Sequence, residues 1–429
     1  MEYKLNILDI IRENNKVYYK FDYSENLQKY FNPKEEFFIE YDDGLSTVPD
    51  SILVIPFLCN VLPIVWLLDV TLYVPEIDEN FFTSIPEFKK GYINMYPRLK
   101  FTGKIIVDKI IDNNGSLDKT GSPLAFFSGG VDAFNTLVNH IEEKPVLMTL
   151  WGSDVFFDDI NGWQNVKSHV IETAERFGVE CKFIKSNFRK FINETTLADL
   201  VLRKANDGWW HGFQHGIGLI GHAAPLAYIY GSKVVYIASS FTAKDAKKVV
   251  CASDPTIDNY VKWANTGVIH DGYEHTRQEK IKKICSFVSS NPNLKINLRV
   301  CWQSSGGKNC VRCEKCYRTI MGILAEGQNP NDYGLIYSKI VGNKIKNDIV
   351  YKVNMDPVRK AFWRDIQNQF LQIPNVFIEH PELEWILKID FESIHKNLIR
   401  FIYQTVCTFL NLPKKILRKI LRVFNKQCN

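Results

Sequence analysis

One five-residue segment has the composition of a phosphate-binding turn: Ser128, Gly129, Gly130, Val131 and Asp132. It follows the apolar run PLAFF, which predicts a short strand, and it precedes a helix that we predict from Ala133 onward. Glycine lets a backbone turn tightly beside a ligand, and the free N–H groups at a helix start attract an anion. The Ser128 hydroxyl can donate to a phosphate, and the Asp132 carboxylate could hold the Mg²⁺ of a nucleotide. The alternative is a purely structural turn in which Asp132 caps the helix.

Four cysteines fall within sixteen residues, with the spacing C-x8-C-x2-C-x2-C: Cys301, Cys310, Cys313 and Cys316. We expect a reducing compartment, because the N-terminal residues lack the apolar run of a secretion signal. In that setting the short gaps let four thiolates converge on one tetrahedral Zn²⁺. Four protein ligands would close the ion to water, so the predicted zinc stabilises the fold. An iron–sulfur cluster and four free thiols are the alternatives.

The turn resembles the SGGxDS signature of the PP-loop ATP pyrophosphatases, and the cysteine spacing resembles the zinc site of the 7-cyano-7-deazaguanine synthase family within that superfamily. The resemblance covers roughly residues 123–326, about half of the chain. It implies a ligase that uses ATP, Mg²⁺ and Zn²⁺, in which an oxygen of a small-molecule carboxylate or carbonyl attacks the α-phosphate and pyrophosphate leaves. Ammonia or an amine then displaces AMP. Ala133 departs from the signature, because the usual Ser or Thr would contact phosphate through its hydroxyl.

The resemblance also implies nucleotide contacts at other strand ends. Trp151 and Gly152 follow the second predicted strand of the α/β region and are expected beside the adenine. Ser239 ends the strand VVYIASS and is expected near the nucleotide. A basic side chain is expected to neutralise the leaving pyrophosphate. Catalytic roles are therefore assigned to Ser128, Asp132, Arg277 and Lys244, with Lys248 and Arg318 as further basic candidates.

A histidine-rich segment and a polar segment supply the predicted substrate contacts. Three histidines in WWHGFQHGIGLIGHAAPLA are spaced to share one face of a helix: His211, His215 and His222. Together with Gln214 they are expected to line the substrate pocket. A second metal site and structural histidines in a packed helix are the alternatives to a substrate-facing role. Residues 253–280 are expected to form a loop at the carboxyl edge of the sheet. Its candidates are Asp254, His270 and Asp271.

The elements around these residues predict an α/β protein with a parallel sheet. Residues 1–111 are predicted to form a β-rich N-terminal domain, and the Asn-, Gly- and Pro-containing segment 112–123 a boundary. Residues 123–330 alternate predicted strands and helices, as in a PP-loop ATP-binding domain. Residues 331–410 are predicted to be helical, with helix starts at Asp356 and Asp390, and residues 411–429 to form a basic amphipathic tail.

Charge and hydropathy limit the classes of partner. The chain has 429 residues and a net charge of +5, which six basic residues after Leu410 account for, so nucleic acid is not favoured as a partner. The apolar stretch 51–70 contains two prolines and Asp69, which favours a buried strand followed by a core helix over a membrane span. We expect a cytoplasmic protein whose tail contacts the inner membrane face, or else packs on the protein itself or on a homo-oligomeric partner.

Three alternative functions remain open beside the ligase. A sugar amidotransferase in surface-polysaccharide biosynthesis would suit a tail at the membrane. A tRNA sulfurtransferase would need a reactive cysteine and a basic surface, whereas Cys181, Cys251 and Cys285 are isolated in the sequence. A degenerate scaffold that binds nucleotide without turnover is the reading that Ala133 favours.

Overall fold

The computed structural model describes residues 3–115, 121–245, 249–301 and 306–394. The chain divides into two compact units, Met1–Cys310 and Val311–Asn429. The predicted boundary at 112–123 therefore does not coincide with the division that the structure shows. The reason lies in the sheet, which the N-terminal residues share with the α/β region.

The described strands of the first unit form a single sheet of eleven strands. In chain order they are β1 (Tyr3–Glu13), β2 (Lys16–Tyr23), β3 (Phe38–Tyr41), β4 (Val70–Asp78), β5 (Lys104–Ile111), β6 (Leu124–Phe126), β7 (Val146–Trp151), β8 (Cys181–Ser186), β9 (Val234–Ala238), β10 (Lys262–Trp263) and β11 (Thr266–Asp271). Their order across the sheet is β10-β11-β9-β6-β7-β8-β3-β2-β1-β4-β5.

The centre of the sheet is parallel. Strands β11, β9, β6, β7 and β8 all run in one direction, with Leu124 of β6 opposite both Val146 of β7 and Val235 of β9. Parallel strands need crossover connections, and helices supply them here. The predicted α/β class with a parallel sheet is confirmed at this level. The carboxyl ends of β6, β7 and β9 consequently meet at one edge, where loops can build a site.

Strand β3 attaches the N-terminal strands to this parallel core. It pairs antiparallel with β8, placing Ile39 opposite Ser186, and on its other side it pairs with β2. Side chains from the N-terminal residues and from the parallel core of the sheet enter one apolar cluster, in which Phe37, Phe57 and Phe191 are fully buried. Residues 1–111 are thus part of the first unit and share its core.

Helices cover the sheet and make up about half of the described part of the second unit, residues 311–394. In the first unit they are α1 (Asp50–Leu53), α2 (Ile55–Leu67), α3 (Glu79–Met95), α4 (Val131–Asn139), α5 (Ile160–Phe177), α6 (Glu194–Ala205), α7 (His215–Ile220), α8 (Ala224–Tyr230), α9 (Pro255–Asp258) and α10 (Arg277–Ser290). In the second unit they are α11 (Glu314–Leu324), α12 (Lys339–Tyr351), α13 (Pro357–Phe370), α14 (Val376–Glu379) and α15 (Trp385–Lys388).

The apolar stretch 51–70 forms helices α1 and α2 and then enters β4, so the predicted order of strand and helix is reversed. Nearly every residue of α2 is buried, which explains why its apolar pattern carries no helical periodicity. No helix among the described residues is both long and apolar enough to cross a bilayer.

The second unit is helical where it is described, as predicted for 331–410. Asp356 caps α13 through a 2.8 Å hydrogen bond from the Arg359 N–H, which confirms that helix start. The helix predicted from Asp390 lies mostly outside the described residues, and so does the tail 411–429. A cavity of about 750 Å³ in this unit is lined by Lys346, Glu382 and Trp385 among others, and no predicted site residue lines it.

Candidate functional site

The segment 128–132 forms the predicted turn between β6 and α4. Gly129 has φ +76°, a left-handed conformation that glycine adopts without strain, and Gly130 precedes the helix in an extended conformation. A Cβ on Gly129 would lie 2.5 Å from His169 Nε2. Ser128 is exposed and Gly130 partly exposed, so the turn opens to solvent on that side. A glycine turn that leads into a helix start is the kind of backbone that can bind an anion.

Two side chains pack on the closed side of this turn. The Arg299 backbone N–H donates to the Gly129 carbonyl at 2.7 Å, and Arg299 Nε donates to the Ser128 carbonyl at 3.0 Å. His169 Nε2 is buried and has no hydrogen-bond partner among the described residues. Burial, together with the charges of Arg299 and Arg176, lowers the pKa of His169 to about 4. A neutral imidazole and a fixed guanidinium thus border the turn.

Arg299 lies in the segment LKINLRVCW, whose apolar and β-branched residues are typical of a strand. The structure assigns no strand to its described residues, which run past the turn and bond to it instead of to a neighbouring strand. The β-branched and apolar pattern indicated burial correctly, since Ile296, Leu298 and Val300 are buried. The pattern could not predict that Arg299 would hydrogen-bond to the turn 128–132.

Asp132 holds two basic side chains where we predicted a magnesium ion. Its Oδ2 accepts from Arg277 Nη2 at 2.7 Å and its Oδ1 lies 3.5 Å from Lys280 Nζ. A carboxylate already paired with two cations is a poor ligand for a divalent metal, and Mg²⁺ at Asp132 stays a prediction. The predicted basic residue Arg277 is placed beside the turn.

Lys280 is a site residue that the sequence analysis missed. It is almost fully buried, and its Nζ also donates to the Ser239 carbonyl at 2.5 Å. Burial lowers its pKa, while the Asp132 charge opposes that shift. A signal was available, because Thr276 and Glu279 form a capping box that starts α10 there and places Arg277 and Lys280 one turn apart on one face.

The other basic residues that we predicted to neutralise the leaving pyrophosphate are not found at Asp132 in the part of the chain that the structure describes. Lys244 is exposed in the turn Ala243–Asp245 and lies near the carboxylate of Glu279, away from the contacts of Asp132. Lys248 lies outside the described residues. Arg318 belongs to α11 of the second unit, where it lies 3.6 Å from Glu314.

The residues predicted to contact the nucleotide at other strand ends are Trp151, Gly152 and Ser239, and their surroundings differ. The Trp151 ring stacks on Trp163 at 5.0 Å, and its indole N–H donates to the Phe156 carbonyl, so the ring is packed against the protein. Gly152 allows the chain to pass the end of β8, since a Cβ would lie 1.9 Å from the Ser186 carbonyl. Ser239 is buried, and its hydroxyl donates to the Phe241 carbonyl.

The histidine-rich segment is not one regular helix: His211 and His215 both contact Cys251, whereas His222 lies apart from them. Residues Trp210–Gln214 form a π-helical turn before α7, and a 3₁₀ turn follows, so the 3.6-residue periodicity is broken. His211 keeps about half of its side chain exposed, whereas His222 is fully buried. Gln214 is also buried and donates to Asn60 and to the Phe188 carbonyl. The structure thus contradicts a substrate-lining role for Gln214 and for His222.

His222 makes the stability of the protein depend on pH. Burial lowers its pKa to about 4, and both ring nitrogens are engaged, with the Gly218 carbonyl at 2.7 Å and Ser186 Oγ at 2.9 Å. Below about pH 6.5 the unfolded chain therefore binds a proton at His222, whereas the folded chain leaves this residue neutral until the pH approaches 4. We expect the free energy of unfolding to be about 2 kcal/mol lower at pH 5 than at pH 7 from this group alone.

Urea unfolding at the two pH values measures this effect. The variant His222→Gln lacks the titrating group, so its loss of stability between pH 7 and pH 5 should be smaller by that amount. An unchanged pH dependence in the variant would contradict the assignment.

Three residues predicted to contact the substrate hydrogen-bond to neighbouring groups of the protein. Asp254 caps α9, accepting from the Thr256 N–H at 2.9 Å. His270 is buried, with Nδ1 2.8 Å from Asp258 Oδ2. Asp271 accepts from Thr136 at 2.6 Å and lies 3.0 Å from a ring nitrogen of His140. Burial of His270 contradicts its predicted substrate contact. Asp254 and Asp271 are engaged by neighbouring groups but partly exposed, and their substrate contacts stay predictions.

Cys251, isolated in the sequence, lies between two histidines in the structure. Its Sγ is 3.9 Å from His215 Nδ1, and His211 also hydrogen-bonds the thiol. Burial would raise the pKa of Cys251, but hydrogen bonds and charge from the two imidazoles lower it to about 6. The separation of 36 residues between Cys251 and His215 hid this arrangement from the sequence analysis.

The four clustered cysteines come together as predicted. Their sulfur atoms all lie within 4.8 Å of one another. Cys301, Cys313 and Cys316 are buried and Cys310 is partly exposed. Cys313 caps α11, since its sulfur accepts from the Cys316 N–H at 3.4 Å. Four thiols at this separation could hold a metal ion, and the donor set is compatible with zinc.

Comparisons of the chain with family models, with curated proteins and with solved structures find no match.

Proposed function

We propose that the first unit is an adenylating ligase that binds the phosphates of ATP at the turn 128–132. An oxygen of a small-molecule carboxylate or carbonyl attacks the α-phosphate, and pyrophosphate leaves. A nitrogen nucleophile, ammonia or an amine, then attacks the activated carbon and AMP leaves. Chemistry of this kind rests on positioning and on stabilising negative charge, so it needs fixed donors more than a reactive side chain.

One observation carries the proposal: a glycine turn with a left-handed Gly129 leads from a parallel strand into α4 and is bordered by basic groups. Arg299 is fixed to the turn by two hydrogen bonds, and Arg277 and Lys280 converge on Asp132 in the first turn of α4. Fixed cations beside the N-terminus of α4 favour a polyanion such as a triphosphate. Asp132 accordingly acts by holding Arg277 and Lys280 in place.

A competing explanation of the same geometry is a scaffold that binds nucleotide without turnover, since Ala133 is a buried methyl group where a hydroxyl would contact phosphate. The two are separated by measuring pyrophosphate release from ATP in the presence of a panel of small carboxylic acids. Acid-dependent release supports the ligase. Saturable ATP binding with no release for any acid supports the scaffold, and no ATP binding would refute both.

The pair Arg277 and Lys280 offers a graded test of the phosphate site. Removing one buried cation leaves Asp132 less well compensated and weakens the local positive potential. We expect Lys280→Met to weaken ATP binding by about 10-fold to 100-fold, corresponding to about 1.4 to 3 kcal/mol.

The matched control is Lys244→Met, because Lys244 is exposed and lies outside the contacts of Asp132. Titration of each variant with ATP by calorimetry should leave the Lys244 variant within about 2-fold of the parent, a difference well under 1 kcal/mol. If Lys244→Met weakened binding more than Lys280→Met, the placement of the phosphates would be wrong.

A further inference from the structure

The cluster around Cys251 is unused by the chemistry described so far. It combines a thiol with two imidazoles and a carboxylate, because Asp207 accepts from His211 Nδ1 at 2.9 Å. Tyr96 donates to the same carboxylate at 3.2 Å and to the Gly212 carbonyl at 3.1 Å. The Ala252 N–H donates to the His211 carbonyl at 2.8 Å, which ties the cysteine segment to the histidine segment. The cluster is therefore held by its own hydrogen bonds.

Aromatic and basic contacts place the cluster at the carboxyl edge of the parallel strands. Phe241, just beyond β9, packs edge-on against His211, with ring centroids 6.3 Å apart. Trp210 packs edge-on against His215 at 5.0 Å, and the Arg189 guanidinium lies over Trp210. Arg189 in turn donates to the Ser153 carbonyl in the loop after β7 at 3.1 Å. This is the edge at which β6 ends in the turn 128–132.

The charge distribution favours an ion pair of thiolate and imidazolium. Hydrogen bonds to Asp207 and to Cys251 raise the pKa of His211 to about 10, although burial acts in the opposite direction. The phenols of Tyr92 and Tyr96 face the thiol, and the carboxylates of Asp154 and Asp258 face His215.

A cysteine held in this way is a nucleophile at neutral pH, because the thiolate is the reactive form. His211 keeps about half of its side chain exposed, so the cluster is accessible at its margin although only 6% of Cys251 is exposed.

We infer that Cys251 is a covalent acyl acceptor, which takes the acyl group from the adenylate before the nitrogen nucleophile does. This inference rests on the proposed function for its acyl donor. The sulfur bonds to the acyl carbon, the bond from that carbon to the AMP oxygen breaks, and AMP leaves with the electron pair. The amine then attacks the thioester carbon, the thiolate leaves to pair again with His211, and the proton of the amine is released to water. No oxidant or reductant is required.

A thioester stage would protect the activated acyl group between the two half-reactions. Water competes with ammonia for an adenylate, and an acyl group moved to a buried sulfur is less exposed to water. The substrate class is therefore an acid whose acyl carbon reaches Cys251 from the phosphate turn.

The test uses an activated acyl probe that bypasses ATP: p-nitrophenyl acetate with the full-length protein. We expect a burst of p-nitrophenolate of about one equivalent per chain, with one acetyl group on Cys251 that hydroxylamine removes. Cys251→Ser should abolish the burst, and His211→Gln should slow it about 10-fold at pH 7, since fewer molecules would carry the thiolate. In the parent the burst rate should rise with pH and reach half its maximum near pH 6, the pKa of Cys251.

Cys181→Ala is the matched control, because Cys181 is a partly exposed thiol outside the cluster and its pKa is raised by burial. It should leave the burst unchanged. The inference is overturned if Cys251→Ser, shown to be folded by its thermal unfolding, keeps the burst, or if the acetyl group lies on Cys181. It is also overturned if the rate of the parent reaches half its maximum near the pH of an ordinary thiol, about 8.5.

Two further outcomes separate this inference from its alternatives. A second zinc ion per chain that Cys251→Ser loses would make the cluster a metal site and overturn the nucleophile. Since the probe needs no ATP, a normal burst without acid-dependent pyrophosphate release would refute the proposed ligase alone. Pyrophosphate release without a burst would refute the thioester alone.

Discussion

Replacing Gly129 with alanine is expected to abolish measurable ATP binding while leaving the protein folded. The residue has φ +76°, which costs an alanine about 1 to 2 kcal/mol, and the new Cβ would lie 2.5 Å from the buried Nε2 of His169. On its other side the Cβ would lie 3.2 Å from Arg299 Cβ, so the methyl group must displace the turn, His169 or Arg299. Because the proposed phosphate contacts are backbone N–H groups, we expect a loss of about 100-fold or more, corresponding to about 3 kcal/mol.

Gly178→Ala provides the matched control for backbone strain. Gly178 ends α5 with φ +63° and has no atom within 4 Å of an added Cβ. We expect this variant to lose about 1 kcal/mol of stability, as the Gly129 variant also should, but to bind ATP normally. Calorimetric titration with ATP and urea unfolding of both variants measure the two effects separately. Equal ATP affinity in the Gly129 variant and the parent would refute a phosphate site at this turn.

Replacing Cys316 with alanine is expected to remove the metal and to unfold at least the start of α11. Cys316 is fully buried, and its sulfur lies within 4.8 Å of the other three thiols. Structural zinc sites contribute on the order of 10 kcal/mol, comparable to the whole stability of an ordinary domain. We expect metal analysis of the parent to give about one zinc ion per chain and the variant close to none, with a large drop in thermal stability.

Cys285→Ala is an informative companion, since Cys285 is equally buried in α10 but lies outside the cluster. It removes a core sulfur at a cost of about 1 to 2 kcal/mol and should keep the zinc. Iron and labile sulfide in the parent, in place of zinc, would show that the alternative cluster chemistry is the right one. A parent without any metal, equally stable with and without a chelator, would contradict a metal site.

Short-range patterns predicted this protein well wherever one segment decides its own structure. Strand β2 consists of the segment KVYYKFDY, whose aromatic and β-branched residues are typical of a strand. The turn 128–132 connects a strand to a helix, and Asp356 starts α13. The cysteine cluster belongs to the same class, because its four thiols lie within sixteen residues and three of them are separated by x2 gaps. In each case the interactions that determine the local structure lie within one segment of sixteen residues or fewer.

Predictions failed where distant segments determine the environment of a side chain. His270 and Gln214 have the residue types of substrate ligands, yet Asp258 and Asn60 engage them inside the protein. Lys280 was missed for the converse reason, since its partner Asp132 lies 148 residues away. Polar residue types alone do not distinguish a buried hydrogen-bond network from a binding surface. A domain boundary inferred from Asn, Gly and Pro also fails when strands on both sides join one sheet.

The pairing of β3 with β8 has a consequence for how the chain acquires its structure. Ile39 cannot find Ser186 until some 150 intervening residues have been synthesised and roughly arranged. Closing so long a loop costs conformational entropy before the contacts that stabilise it have formed. Folding is therefore slower for a chain of high contact order. Until then the β8 edge of the parallel strands stays open to strands of other molecules. We therefore expect slow refolding and a need for chaperones at high concentration, with β3 as the last strand to close the sheet.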